Sequence, residues 1–212
     1  MSLTVLIDYG SGNLRSAEKA LRRAAQSLSG AQEVRVSADP ETVRAADRLV
    51  LPGVGAFASC MGALKARDGL IEAMTAAAIG RGAPFLGVCV GMQLLASRGL
   101  EFGQTPGLDW IPGDVARLAP DAPEAKVPHV GWNDLELSTP SRLFPTAPGP
   151  VYFTHSFAFA PKDEGRVTAN VRHGGRFAAA VEQDNLAGVQ FHPEKSQAEG
   201  LAFIARFLAW RP

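Results

Sequence analysis

Between residues 3 and 95 the chain alternates short apolar runs with segments of helical periodicity, and this alternation restricts the fold more than any other feature. Residues 3–7 are a short apolar run that reads as a buried strand, and 34–36, 49–51 and 84–88 are further strand candidates. After the first, Leu14, Ala17, Leu21, Ala24, Ala25 and Leu28 recur at helical spacing, which predicts a helix over 14–28 with Asn13 placed to cap it. Asp39-Pro40 opens a short helix, proline being suited to a first helical turn, and 70–79 reads as another. Strand–helix–strand repetition implies a parallel sheet with right-handed crossovers.

The second half differs. Strand candidates lie near 114–118, 127–137, 151–159, 166–171, 176–182 and 186–191, with Asp184-Asn185 as the turn between the last two. A closing helix over 197–210 carries Leu201, Ile204, Ala205 and Leu208 on one face. The expected fold is α/β, with a mixed, mainly parallel sheet, helices on both sides and antiparallel additions, in one domain over 1–212. Residues 119–125 and 145–150 read as Pro/Ala-rich loops.

Composition closes off several functions. Lysine plus arginine and aspartate plus glutamate number 21 each, so no overall basic field gathers nucleic acid. No apolar stretch is long enough for a membrane span. The opening MSLTVLIDYG lacks a basic start, and its apolar run is short for a secretory leader, so cytoplasm is the expected compartment. Two cysteines make no disulfide framework, Cys60 reads as a small, partly buried apolar residue, and no Cys/His spacing suits zinc. Neither a metal nor a cofactor is expected.

The chemistry concentrates in three places. Gly87-Val88-Cys89-Val90-Gly91 follows a strand and opens a helix at Met92-Gln93-Leu94-Leu95, the form of a nucleophile elbow with cysteine as nucleophile. Flanking glycines relieve the strained turn, the helix N-terminus favours thiolate, and the Val90 N–H points toward the attacked carbonyl. Gln190-Phe191-His192-Pro193-Glu194-Lys195 supplies a base: in an extended chain His192 and Glu194 share a side, so Glu194 can orient the imidazole. Taken alone this pair equally suits a surface strand end; beside the elbow it reads as a triad. Leu51-Pro52-Gly53-Val54-Gly55-Ala56-Phe57 follows a parallel strand at its carboxyl end and can lend a second oxyanion donor; it lacks the Walker lysine pattern of a phosphate loop. His129 and His155 are less telling, and His173, before Gly174-Gly175, reads as a solvated turn residue.

These segments, together with Asp8-Tyr9-Gly10-Ser11-Gly12-Asn13 and Gly131-Trp132-Asn133, resemble class I, triad-type glutamine amidotransferases, which share a flavodoxin-like fold. Within that family, the opening motif, Gly131-Trp132-Asn133 and Glu194-Lys195-Ser196 are similar to the branch that serves a separate cyclase subunit in histidine biosynthesis. The resemblance implies that Cys89, His192 and Glu194 are catalytic and that Gly53, Val54 and Val90 form the oxyanion hole. It implies that Gln93, Glu101, Ser156 and Phe157 grip L-glutamine, with Phe157 standing where many relatives have tyrosine. It places Asn13, Trp132 and Lys195 at the interface with the cyclase subunit, although from the residues alone Trp132 suits a core aromatic and Lys195 a solvated lysine. Two features separate this branch from other glutaminases: Met92 precedes Gln93 where histidine is common, and Val54 separates Gly53 from Gly55. A cysteine peptidase or chaperone on the same scaffold is the rival of a different class, and it usually lacks His-x-Glu near the C-terminus.

Overall fold

The computed structural model describes residues 2–212. In chain order the first half contains β1 (Ser2–Ile7), α1 (Leu14–Ala25), β2 (Gln32–Ser37), α2 (Pro40–Ala45), β3 (Arg48–Leu51), α3 (Phe57–Lys65), α4 (Leu70–Thr75), β4 (Phe85–Val88) and α5 (Val90–Gln93). There follow β5 (Arg98–Gly99), β6 (Thr105–Pro106), β7 (Gly113–Arg117), β8 (His129–Asn133), β9 (Glu136–Leu137), β10 (Val151–His155), β11 (Phe157–Pro161), β12 (Val167–Arg172), β13 (Arg176–Gln183), β14 (Leu186–Val189) and α6 (Gln197–Ala209).

The main sheet has the order β2-β1-β3-β4-β14-β13-β12-β9, and its first five strands are mutually parallel. Its order reverses between β1 and β3, the doubly wound arrangement in which ligands sit beyond the carboxyl ends of the strands. Right-handed crossovers put α1 on one face and α2, α3 and α4 on the other. The packing agrees: α1 lies against α6, while α2 and α3 lie against α4. With both faces covered, β3 and β4 are buried along their whole length, which is why β4 and, after Arg48, β3 carry no polar side chain.

Four details depart from the sequence expectation. Asn13 begins α1 but makes no side-chain cap; its carbonyl accepts from Ala17 N–H instead. The helical spacing reaches Leu28, yet α1 ends at Ala25, and the remaining residues close as tight turns. The segment 70–79 divides into α4 and a π-helical turn, Ala76–Gly80. Helix α3 was not expected at all, although Phe57, Cys60, Met61 and Leu64 follow helical spacing and are all buried.

The antiparallel half also divides. The expected strand over 151–159 breaks at Ser156, so β10 pairs with β8 and β11 pairs with β7, in two small sheets apart from the main one. Likewise 127–137 becomes β8 and β9, and only β9 joins the main sheet. Strands β5 and β6 have two residues each, too short to show a period.

Cys89 stands between β4 and α5 at φ 56°, ψ −113°, a conformation that side-chain-bearing residues rarely hold. Two close approaches make the turn feasible. A Cβ on Gly87 would overlap the Gly91 carbonyl, and one on Gly91 would overlap the Leu51 carbonyl. We therefore expect Gly91→Ala to cost about 2–3 kcal/mol through overpacking against β3, read as a lowered urea midpoint. A midpoint equal to that of the natural chain would show that the elbow can relax away from β3.

Candidate active site

Strand register brings the site together. Strand β14 pairs in parallel with β4, Gly188 opposite Gly87 and Val189 opposite Val88, and Cys89 N–H donates to Val189 O at 2.8 Å. The chain leaving β14 therefore runs beside the elbow and carries Gln190 and His192 to the same end of the sheet. His192 Nδ1 lies 2.9 Å from Glu194 Oε1, with both side chains almost wholly buried. The contact does not come from strand alternation as expected: Pro193–Lys195 is a 3₁₀ turn that folds Glu194 back under the imidazole. Ser196 fixes this turn, its hydroxyl donating to His192 O at 2.7 Å and accepting from Tyr152 N–H at 3.0 Å.

With Nδ1 bonded to the carboxylate, His192 presents Nε2 as its free nitrogen, and that atom is buried without a hydrogen-bond partner. Burial alone would lower the imidazole pKa; proximity to Cys89, then the Glu194 contact, reverse this and push it up to about 9. Cys89 influences the ring by its nearness, although no hydrogen bond joins sulfur and Nε2. Helix α5 is only one turn long, so the expected help from a helix N-terminus is small, and the imidazolium is the main cation available to a thiolate.

The cleft above the sulfur is lined by Val54, Val90, Gln93, Glu101, Ser156, Phe157, His192 and Lys195 among others. Glu101 Oε2 accepts from Phe57 N–H at 2.8 Å, leaving its other oxygen free of protein partners. Gln93 Nε2 donates to Phe157 O and to Gln190 Oε1, each at 3.0 Å. Gly53 lies behind the cleft rather than in its wall.

The oxyanion loop is closed on itself. Val90 N–H, one expected donor, points at Gly53 O at 3.4 Å, and Val54 N–H points at Ser11 Oγ at 3.4 Å. Three side chains that the sequence reading did not single out hold this arrangement. Tyr9 OH donates to Pro52 O at 2.7 Å, Ser11 Oγ donates to Val54 O at 2.9 Å, and Cys60 Sγ donates to Val54 O at 3.4 Å. Burial, with Cys60 beside it, raises the Tyr9 phenol and keeps it protonated as a donor.

At the rim, Asn13 is exposed and Trp132 is 48% exposed, so the core reading of Trp132 fails. Its ring packs edge-on against Tyr152, over which Lys195 Nζ sits at 5.5 Å. Lys195 has no acidic partner among the described residues.

His155 is buried in the cleft wall and bonded to His129, buried behind it, Nδ1 of His129 to Nε2 of His155 at 3.0 Å. His173 is not the solvated turn residue expected: it stacks on His129 at 4.2 Å and bonds to Lys126 O.

Geometry and comparison agree on the class. Residues 5–209 match the family model "Glutamine amidotransferase class-I", and the chain belongs to that family of enzymes. A solved glutamine amidotransferase shares the fold at a TM-score of 0.70 and 20% identity, covering 97% of each chain. One from Thermotoga maritima does so at 0.58 and 16%, covering 91% of this chain and 76% of its own. The branch within the family is that of imidazole glycerol phosphate synthase subunit HisH. The Caulobacter vibrioides subunit is 56% identical over 100% of both chains. The Zymomonas mobilis subunit is 54% identical over 100% of this chain and 97% of its own. The Rhodospirillum rubrum subunit is 53% identical over 98% of each.

The paired histidines predict acid sensitivity. Burial, then the neighbouring histidine charge, holds His129 down to about 4; His155 is likewise down to about 4, chiefly from burial. Between that value and the ordinary 6.5, the unfolded chain binds protons that the folded chain refuses, so stability falls as pH drops through this window. We expect the urea midpoint to fall progressively from about pH 6.5 to about pH 4, and His129→Gln to reduce that slope. An unchanged slope in the variant would mean that other groups set the acid limit.

Proposed function

We propose that this chain is the glutaminase subunit of imidazole glycerol phosphate synthase, hydrolysing L-glutamine and passing ammonia to the cyclase subunit. The observation that carries the reading is the buried His192–Glu194 contact, set beside a strained Cys89 by the β4–β14 register, in a chain of the HisH branch. Cytoplasm is the compartment we assign, consistent with two unpaired cysteines and with no helix, among the described residues, long and apolar enough to cross a membrane.

Cys89, as thiolate, attacks the side-chain carboxamide carbon of glutamine. His192, as imidazolium, protonates the departing amine, and ammonia leaves behind a thioester. The now neutral imidazole takes a proton from water. The resulting hydroxide attacks the thioester, the C–S bond breaks, and glutamate leaves with the thiolate restored. Glu194 holds the ring with Nε2 toward the reaction and stabilises its charged form. Substrate polar groups meet the free Glu101 oxygen, Gln93 Oε1 and Ser156, while the Phe157 ring offers apolar contact without a hydroxyl.

Oxyanion stabilisation needs the loop to open. Turning the Gly53–Val54 peptide takes the Gly53 carbonyl off Val90 N–H and frees a second donor, so the isolated subunit rests with a poor oxyanion site. Val54 is 45% exposed at the same rim as Asn13, Trp132 and Lys195. A cyclase subunit seated there is positioned to turn the loop. Its product side would combine the ammonia with a phosphorylated ribulose-type nucleotide, giving imidazole glycerol phosphate and an aminoimidazole carboxamide ribotide.

Glutamate release by the purified chain should be weak alone and rise strongly with the cyclase subunit and its nucleotide ligand; high activity indifferent to the cyclase would move the chain to another amidotransferase. Cys89→Ala should abolish glutamine-dependent turnover by the complex yet leave turnover with ammonium salts. Losing both in an assembled complex would refute the division of labour. Glu194→Gln should lower kcat by about 10²–10⁴ with KM little changed, as loss of an orienting carboxylate does. Trp132→Ala and Lys195→Ala should weaken activation by the cyclase more than they weaken folding, and undiminished activation would remove both from the interface.

A further inference from the structure

Gln190 has no place in the triad, yet its side chain is fully buried against the nucleophile. Its Nε2 donates to Cys89 Sγ across 3.6 Å. Parallel pairing explains the contact: Val189 lies opposite Val88, so the next residue along β14 arrives beside Cys89.

The amide cannot turn over freely. Gln93 Nε2 donates to Gln190 Oε1, which commits Oε1 to accepting and leaves the N–H group for the sulfur. The other Gln93 hydrogen goes to Phe157 O, and that carbonyl also accepts from His155 Nδ1 at 2.9 Å. His155 Nε2 must then accept, which it does from His129 Nδ1, and His129 Nε2 accepts from Asn133 Nδ2 at 3.2 Å. Two donor runs therefore meet at Phe157 O, one from Asn133 on β8 through His129 and His155, the other from Gln93. Because both histidines stay neutral at physiological pH, each keeps one nitrogen as donor and one as acceptor, and the Phe157 carbonyl stays held.

We propose that Gln190 is a further catalytic residue, whose amide N–H holds the Cys89 sulfur as thiolate, with Gln93 as the positioning residue that fixes that amide and His155 and His129 holding the Phe157 carbonyl on which Gln93 rests. An N–H donor favours the charged sulfur over the thiol, and does so more strongly where water is excluded. It acts twice: on the resting nucleophile, and when the tetrahedral adduct of water and thioester collapses and the C–S electron pair returns to sulfur. The inference rests on Cys89 being the nucleophile of the proposed reaction.

The test uses the full chain, alone and with its cyclase partner. Gln190→Met removes the donor without adding charge; Gln190→Glu keeps an acceptor for Gln93 and removes the donor. The pH dependence of Cys89 alkylation by iodoacetamide is read at the Cys89 peptide, separately from Cys60. The other titratable and charged groups around the cleft are His192 beyond β14 with Glu194 bonded to it, His155, Lys195 and Arg117, Glu101, and Tyr9 beneath the loop at Gly53-Val54. All remain in both variants.

We expect the alkylation midpoint to rise by about one pH unit in Gln190→Met, with kcat down about tenfold or more and KM within about twofold. In Gln190→Glu the added carboxylate should move the midpoint further. Unmoved alkylation in folded variants, with or without a fall in kcat, overturns the proposal, because a purely structural role lowers turnover without changing the thiol. A shifted midpoint in a chain that fails to hydrolyse glutamine with its partner would support the Gln190 contact and sink the glutaminase reading.

Discussion

The parallel pairing of β14 with β4 is the contact on which the site depends. Each strand is short and apolar, and neither carries a reactive group within its own length. Placed side by side in register, they deliver a strained cysteine from one and a glutamine and histidine from the other to the same end of the sheet. The backbone bond from Cys89 N–H to Val189 O ties the two exits together. A shift of one residue along β14 would turn Gln190 away from the sulfur and send the His192 turn elsewhere, because alternate residues face opposite sides. The glycines at 87 and 91 serve the same end, letting the elbow lie against β3 and the oxyanion loop.

The protonation of the site follows from differences between environments. His192 and the His129–His155 pair are all buried, and burial by itself pushes every one of them toward neutrality. His192 is carried the other way by Cys89 and Glu194, whereas the pair meets further imidazoles, a carboxamide and a backbone carbonyl, with no carboxylate bonded to it. One histidine is therefore suited to carrying a proton and two to serving as fixed, neutral hydrogen-bond partners that hold the Phe157 carbonyl. Groups of one chemical type thus divide their tasks by their neighbours.

The loop we propose for the oxyanion carries the opposite kind of design, since its peptide groups are held in bonds among themselves. Tyr9, Ser11 and Cys60 grip the carbonyls of Pro52 and Val54, and Gly53 O occupies the Val90 N–H. Each grip is an ordinary neutral hydrogen bond contributing about 0.5–1.5 kcal/mol, so the set is strong enough to define a resting state and weak enough for a partner to reverse. Tyr9 and Ser11 sit in the turn that also holds Asn13, which links this loop to the rim surface by covalent proximity.

Much of this protein was legible in its sequence. The apolar runs that became β1, β3 and β4 announced a covered parallel sheet, because only strands buried on both faces dispense with polar alternation; β14 read only as a strand joined by a turn to β13, and its parallel pairing with β4 was not legible. The elbow glycines and the His-Pro-Glu run pointed to the residues proposed to react, because a strained nucleophile and an oriented base demand those types at those spacings. Tertiary structure alone decided the rest. It broke the strand at Ser156, set Trp132 half in solvent, folded Glu194 under His192 through a 3₁₀ turn, and closed Gly53 over Val90 N–H. It also brought Gln190 to Cys89 Sγ and His129 to His155. These contacts join residues remote in the chain, through strand register and peptide orientation, and no local pattern of residue types encodes either.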